Sequence, residues 1–161
     1  MSSAKEARFR IDAPNSLQRA TKVIALDAPS EHVVKRLATR PWNGAAFFTA
    51  TAFGAAPSRG ASLRGWLSDL AGRTKSLVDE VNSADLVVMV ATAGENVPAA
   101  SLIGEACSLK RVTTTALIAG SAGKSDDVLA KTLSQLRPWA LMLVIANSDD
   151  YIEDMLRALR A

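Results

Sequence analysis

The chain has 161 residues, a net charge of +3, and 48% hydrophobic and 22% charged residues. These ordinary globular values exclude a disordered or low-complexity protein, and the length fits one domain with a single core. The longest apolar runs are much shorter than the ~20 residues of a membrane-spanning helix, which excludes a membrane span in this sequence.

The first 20 residues read as a polar N-terminal arm that Pro14 and Asn15 interrupt. We expect the arm to be flexible or to pack late on the body, with binding of a partner as the functional alternative. It lacks the apolar block of a secretory signal, which predicts a cytoplasmic location. Residues 21–161 are expected to form one domain.

A strand, helix and second strand follow the arm. Lys22–Leu26 is apolar and β-rich, and Asp27–Pro29 turns the chain into a helix for which we predict Ser30 as the N-cap. Glu31 lies in the first turn, where the helix dipole favours an acidic residue. The second strand is predicted over Ala45–Thr51.

The next segment, Phe53–Arg73, is the least regular part of the chain, because glycines and a proline interrupt it. A short strand is predicted around Leu63–Leu67. Since the segment leaves the C-terminal end of a strand, Arg59 and Arg64 are candidates for contacting an anion there. The alternative is a connecting loop with solvated charges.

The second half alternates helices with strands. Apolar periodicity predicts a helix over Thr74–Ser83, another beginning near Pro98, and a last helix capped by Ser148. Because Ala140–Ala146 is almost wholly apolar, we expect it to be a central strand. The other predicted elements are strands at Asp85–Thr92 and Val112–Ala119 and a helix at about Asp126–Leu136.

This alternation predicts an α/β fold. Five or six strands and five helices fit a doubly wound, three-layer, Rossmann-like sandwich with a mostly parallel sheet. Its ligand crevice lies beyond the C-terminal ends of the strands, where helix N-termini attract anions. The loops expected at that rim are Asp27–His32, Thr49–Gly54, Thr92–Pro98, Gly120–Ser125 and Asn147–Asp150.

The sequence GSAGKS between a predicted strand and helix is the sharpest local motif. It has two residues between its glycines, Gly120 and Gly123, where a phosphate-binding P-loop has four. Lys124 is the corresponding lysine. Either the segment binds a phosphate, or it is a turn in which Ser125 caps the next helix.

Single occurrences of cysteine and histidine limit the chemistry. Cys107 stands alone, which excludes an internal disulfide and a cysteine metal cluster, and its place on an apolar helix face predicts a reduced core thiol. His32 is the only histidine of the sequence, which excludes a multi-histidine metal site. It remains a candidate general base at an exposed helix start. The basic residues are scattered without an interleaved aromatic stripe, so nucleic-acid binding is not expected.

The order of these pieces resembles the nucleotide-binding domain of the FtsZ/tubulin GTPase family. KVIALDAPSEHVVKRLATRPWNGAAFFTAT is similar to the first strand, phosphate loop, helix and second strand of that family. VNSADLVVMVATAGENVPAASLIGEACSLKRVTTTALIAG resembles its fourth strand, signature loop, helix and fifth strand, and LSQLRPWALMLVIANSDD resembles the following helix, strand and turn. The resemblance implies a GTP-type site in the loops at the sheet rim.

The glycines that this family uses around phosphates are mostly replaced. Asp27–His32 contains no glycine, and the family's glycine-rich signature becomes Ala93–Ala99, with Gly94 alone retained. Glu95 adds a negative charge there, and Pro98 lacks a backbone donor. The resemblance therefore implies a related fold without GTP hydrolysis.

We predict a non-hydrolysing module that binds a nucleotide or small anion, or a protein partner, and the cofactor remains open. The alternatives are a small-molecule transferase with His32 as the candidate catalytic residue, and a structural subunit of a larger complex. A homodimer is also expected. The predicted cofactor-binding residues lie in the rim loops: Asp27, Ser30, Gly94, Glu95, Asn96, Gly120, Ser121, Gly123, Lys124 and Ser125.

Overall fold

The computed structural model describes residues 20–50, 66–70, 73–159 and 161. The predicted arm (1–19) and most of the irregular segment, including Arg59 and Arg64, lie outside this range. Seven strands are described: β1 Thr21–Ala25, β2 Ala45–Thr49, β3 Trp66–Asp69, β4 Thr74–Ser76, β5 Leu86–Thr92, β6 Thr113–Ala119 and β7 Met142–Ile145. Five helices are described: α1 Ala28–Ala38, α2 Leu77–Asn82, α3 Ala99–Lys110, α4 Asp126–Leu136 and α5 Asp149–Ala158.

The strands form one mixed sheet in the order β4-β3-β2-β1-β5-β6-β7. The pairs β2–β1, β1–β5, β5–β6 and β6–β7 are parallel, whereas β2–β3 and β3–β4 are antiparallel. The α/β class and the mostly parallel sheet are thus as predicted. The sheet exceeds the predicted five or six strands because the antiparallel pair β3–β4 extends one edge.

Strand β5 lies at the centre of the sheet and positions the rim. Its residues Leu86–Ala91 are buried, and the strand pairs with β1 on one side and β6 on the other. A continuous apolar run of this kind is typical of a parallel strand covered on both faces. Its C-terminal residue Thr92 therefore reaches the rim between two neighbouring strands.

Helices cover both faces of the sheet. On one face α1 and α5 pack against Val23, Ala25 and the same-side residues of β5, and Val34, Leu37, Ile152 and Leu156 form the helical side of this core. On the other face α2, α3 and α4 pack against Ile24 and Leu26. The alternation along β1 follows from the two-residue side-chain period of a strand.

The prediction that Ala140–Ala146 is a central strand was wrong. Only Met142–Ile145 is a strand, and this strand, β7, is the last of the sheet, with Met142 39% and Ile145 42% exposed. A continuous apolar run indicates that both faces of a strand are covered. It does not indicate whether another strand pairs with each of its edges. The sequence pattern therefore could not separate a central strand from an edge strand.

The predicted helix over Thr74–Ser83 was too long. Thr74–Ser76 is β4, which pairs with β3, and the helix is confined to Leu77–Asn82. The turn between the two strands is stabilised by Asp69, whose carboxylate accepts hydrogen bonds from the backbone N–H and the Nε of Arg73 at 2.9 and 2.7 Å. The pairing of β4 with β3 in this hairpin therefore outweighs the helical pattern of the sequence at Thr74–Ser76.

Candidate functional site

Asp27 lies where the order of strands reverses, which is the usual ligand crevice of doubly wound sheets. It follows β1, between β2 and β5, and is 6% exposed. Its Oδ1 accepts hydrogen bonds from the Ser30 N–H at 2.7 Å and the Thr92 hydroxyl at 2.9 Å. Its Oδ2 accepts one from the Thr92 N–H at 2.7 Å. The protein thus supplies its own anion at this point.

Asp27, and not Ser30 as predicted, is the N-cap of α1. The two residues form a capping box, in which the Ser30 Oγ accepts from the Asp27 N–H at 3.2 Å and donates to the Asp27 carbonyl at 3.0 Å. The spacing of Asp27, Pro29 and Ser30 is the available sequence signal, since a cap precedes a first-turn proline. The N–H groups of Asp27, Ser30 and Glu31 at this helix start thus have acceptors within the capping box.

The loop between β5 and α3 is held by side chains of α4. Its Gly94 N–H donates to the Thr132 hydroxyl at 2.8 Å, and its Val97 N–H donates to Gln135 Oε1 at 2.9 Å. The Thr132 hydroxyl in turn donates to the Glu95 carbonyl at 3.2 Å. These amide groups therefore already have acceptors within the chain.

Sequence reasoning missed Thr132 and Gln135. Thr132 is fully buried beside the apolar residues Leu129, Leu133 and Leu136. The available signal was a hydroxyl residue on the inner face of an amphipathic helix, because a buried hydroxyl requires a hydrogen-bond partner. Gln135 also donates to the Asn96 side chain at 3.4 Å.

The GSAGKS segment is a turn that links neighbouring loops. Ser125 caps α4 by accepting from the Val128 N–H, as the structural alternative predicted, and Gly120 and Gly123 have φ angles of 68° and 75°. Lys124 Nζ donates to the Ala93 carbonyl at 2.9 Å. Ser121 donates to Asn147 Oδ1 at 2.6 Å, which joins this turn to the loop before α5.

Four of the five loops predicted at the rim therefore meet there, and the fifth, Thr49–Gly54, lies mostly outside the described residues. The hydrogen bond between Thr92 and Asp27 joins the end of β5 to the start of α1. The Thr132 hydroxyl contacts both Gly94 and Glu95, which joins α4 to the loop after β5. Lys124 and Ser121 add links to the loops on either side of their turn. All ten residues predicted to bind a cofactor lie in these loops, and whether they bind one stays a prediction.

A cavity of about 310 Å³ opens at the rim between the first turns of α1 and α5. Its lining includes Pro29, Thr92, Gly120, Asn147 and Ser148, so Gly120 is the one predicted site residue among the described residues that line it. The cavity lies on the face of the sheet that α1 and α5 cover. Gly94 instead contacts Thr132 of α4, and Lys124 contacts the Ala93 carbonyl, on the opposite face.

The charged groups beside this cavity neutralise each other. Arg36 binds the carboxylate of Asp149 through Nε at 2.7 Å and Nη2 at 3.2 Å. The hydrogen bond from Arg36 lowers the pKa of Asp149, so the carboxylate remains ionised and the pair persists at neutral pH. A phosphate would therefore have to compete with Asp149 for the Nε and Nη2 donors of this guanidinium group.

The remaining candidates lie apart from the rim cavity. His32 is exposed on α1 and does not line the cavity. Cys107 is a free, fully buried thiol, as predicted, and burial raises its pKa. Among the described residues, no three potential metal-ligating side chains come together, and no helix has the length and apolarity to cross a membrane.

The fold and rim together define an α/β protein of Rossmann-like layout whose crevice contains an internal carboxylate. No protein-family model matches the chain, and no curated protein matches it. Among solved structures, it is similar to the apo form of translation elongation factor SelB from Methanococcus maripaludis, with 12% identity and a TM-score of 0.48. The match covers 88% of this chain and 36% of that one, so the chain spans about a third of the SelB structure's length.

Proposed function

We propose that this protein is a non-hydrolysing Rossmann-like module that acts through protein contacts and does not bind nucleoside triphosphates. The observation that carries this proposal is the carboxylate of Asp27, which accepts three hydrogen bonds at the strand-order reversal. A phosphate at that point would meet a buried negative charge, and like charges at close range oppose binding. We further propose a cytoplasmic location.

The rim loops support the same proposal. In phosphate-binding loops, free backbone N–H groups point at the ligand. Here Gly94 and Val97 donate to Thr132 and Gln135, and Lys124 is directed to the Ala93 carbonyl. Phosphate binding at these groups would require these contacts to break, which would leave the Thr132 hydroxyl, the Gln135 side chain and the Ala93 carbonyl without these donors.

Kinship with the FtsZ/tubulin GTPases, in the form of a doubly wound sandwich, is part of the proposal. It is supported by the order of the strands and helices along the chain and by parallel pairing of β2, β1, β5, β6 and β7. Replacement of the glycines around the crevice would then have removed nucleotide binding, while the packing of the sheet was retained.

Calorimetric titration with GTP, GDP and ATP in the presence of Mg²⁺ tests the proposal. We expect no binding tighter than about 1 mM, which corresponds to roughly 4 kcal/mol of binding free energy. Asp27→Ala removes the internal charge, and Asp126→Ala removes an exposed acid from another helix start as its matched control. Micromolar binding of GTP with turnover would overturn the proposal.

The rim cavity favours a second candidate function, binding of a small uncharged ligand. Its volume of about 310 Å³ is at the lower end of the range of small-molecule pockets. Asn147 and Ser148 supply polar groups, and Pro29 and Ile152 supply apolar surface. Native mass spectrometry of protein purified without added ligand tests this function, because a specific ligand would add one discrete mass.

A further inference from the structure

The outer side of β7 is an apolar edge of the sheet. The strand pairs with β6 on its inner side, and it is the terminal strand of the described sheet. Leu141, directly before it, is 82% exposed, and Met142 and Ile145 are 39% and 42% exposed. Large apolar side chains therefore lie beside a row of backbone groups that a further strand is able to pair with.

Within the described part of the chain, this short edge carries neither the charges nor the prolines that protect many terminal strands. Such strands commonly carry a charged residue, a proline or a bulge, which prevents pairing with another chain. No charged residue occurs from Pro138 to Ser148, and the four residues of β7 include no proline or glycine. At the opposite edge, β4 carries Lys75 in the middle of its three residues.

The charges of α4 indicate which partner fits. This helix begins with Asp126 and Asp127 and is followed by Arg137. All three side chains are exposed, and none forms a salt bridge with another described part of the chain. The helix thus has an acidic end and a basic end, and neither forms an ion pair within the part of the chain that the structure describes.

A second copy of the chain satisfies both the edge and these charges. When two β7 strands pair antiparallel about a two-fold axis normal to the sheet, α4 of one copy runs antiparallel to α4 of the other on the same face. The acidic end of each α4 then faces Arg137 of the other copy. Helix α4 connects the parallel neighbours β6 and β7, and its Leu129 and Leu133 pack on the same core as Leu143 of β7. With strands about 4.8 Å apart, two helices that each cross over such a pair would lie about 10 Å apart, an ordinary helix-packing distance.

We propose that β7 is a homodimer interface through which two copies form one continuous sheet. In a register centred on Leu143, Leu141 of one copy lies opposite Ile145 of the other, and Met142 lies opposite Val144. These pairs keep each residue on its own face, because side chains alternate along a strand. The inference identifies a second copy of the chain as the partner in the proposed function, which is action through protein contacts. It rests on that proposed function only in this respect.

Sedimentation velocity tests the interface. The wild-type protein is expected to sediment as a dimer of twice the 17.0 kDa chain. Ile145→Lys places a charge opposite the apolar Leu141 of the other copy and should give the monomer mass. Leu109→Lys is the matched control, since Leu109 is 78% exposed on α3 and is not part of the proposed strand pairing, and this variant should remain dimeric.

Circular dichroism establishes that each variant is folded, and Leu141→Lys replaces Ile145→Lys if the latter does not fold. A monomeric wild-type protein would overturn the inference, as would a dimer that both edge variants leave intact. A monomer in which the β7 amides are protected from hydrogen exchange would assign the edge to another part of the same chain. That outcome also contradicts the inference.

A charge exchange tests the pairing of the helices. Asp127→Lys and Arg137→Glu should each weaken dimerisation by about two- to 30-fold, the effect of losing two symmetry-related exposed ion pairs, and the double variant should restore it. If the double variant is weaker than either single variant, the proposed helix arrangement is wrong. Nucleotide titration does not enter either experiment, so a failure here leaves the proposed lack of nucleotide binding intact.

Discussion

One carboxylate, that of Asp27, joins β1, α1 and β5. It accepts hydrogen bonds from Ser30 at the helix start and from both the backbone and the side chain of Thr92. Because Asp27 is almost fully buried, removal of its carboxylate leaves the N–H groups of Ser30 and Thr92 without acceptors. The residue therefore stabilises the fold at the same point where it opposes an external anion.

Asp27→Ala should lower the free energy of unfolding by about 2–4 kcal/mol, the combined cost of a lost helix cap and buried unsatisfied donors. Asp27→Asn keeps one acceptor oxygen and should cost less. Urea denaturation measures both changes. Asp126→Ala, at an exposed position in the first turn of α4, should stay within about 0.5 kcal/mol of wild type.

Thr132 has a comparable role for the loop between β5 and α3. Thr132→Val preserves its shape but removes the acceptor of the Gly94 N–H, and it should cost about 1–3 kcal/mol. Thr113→Val, at an exposed position in β6, is the control. Equal urea midpoints for the two variants would show that the loop does not depend on Thr132.

At the scale of elements, α3 packs unusually closely against the segment after α4. A Cβ atom added to Gly104 would lie 2.4 Å from the Cβ of Trp139, which is nearer than any van der Waals contact. Gly104 has an ordinary helical environment, so its lack of a side chain is required for packing rather than for backbone conformation.

Gly104→Ala should therefore destabilise the protein by about 1–3 kcal/mol through overpacking, although alanine is the better helix former by about 1 kcal/mol. Thermal denaturation measures the effect. Glu105→Ala, the exposed neighbour on the same helix, should change stability little. A Gly104→Ala variant as stable as wild type would contradict this packing.

Ion pairs connect α1 to α5. Arg36 binds Asp149, and Arg40 binds both Asp150 and Glu153, which also accepts hydrogen bonds from Arg157. The hydrogen bond from Arg36 lowers the pKa of Asp149, and those from Arg157 and Arg40 lower the pKa of Glu153. Both carboxylates are therefore more acidic in the folded protein than in the unfolded chain.

This direction fixes the pH dependence. The contribution of the pairs is fully present above the ordinary carboxyl pKa values of 3.8 and 4.5, and it is lost as pH falls through the lower folded values. Arg36→Gln should raise the pKa of Asp149 toward its ordinary value in a carbon-13 NMR titration. Lys35→Gln, which removes a pair with Glu31 within α1, should leave Asp149 unchanged.

At the scale of the whole molecule, the sequence was sufficient to predict the parallel core and the meeting of the rim loops. Strand β5, the bounds of α4 and the capping roles of Ser125 and Ser148 follow from local patterns of apolar and capping residues. These features depend on neighbours close in the chain. Sequence patterns report such neighbours directly.

Features set by distant contacts were missed. The edge position of β7 depends on the order of strands in the sheet, and β4 depends on its pairing with β3. The role of Thr132 depends on contact with Gly94, which is 38 residues away along the chain. No periodic pattern in the local sequence encodes these long-range contacts. The internal hydrogen bonds at the crevice are therefore visible only in the structure.

The central claim is that internal acceptors occupy the amide groups with which a nucleotide would have to bind. Amide NMR during titration with GTP and Mg²⁺ tests it most directly at Ser30, Thr92, Gly94 and Val97. The account predicts unchanged chemical shifts at these amides with GTP in excess. Saturable shifts of the same amides at micromolar GTP would contradict it.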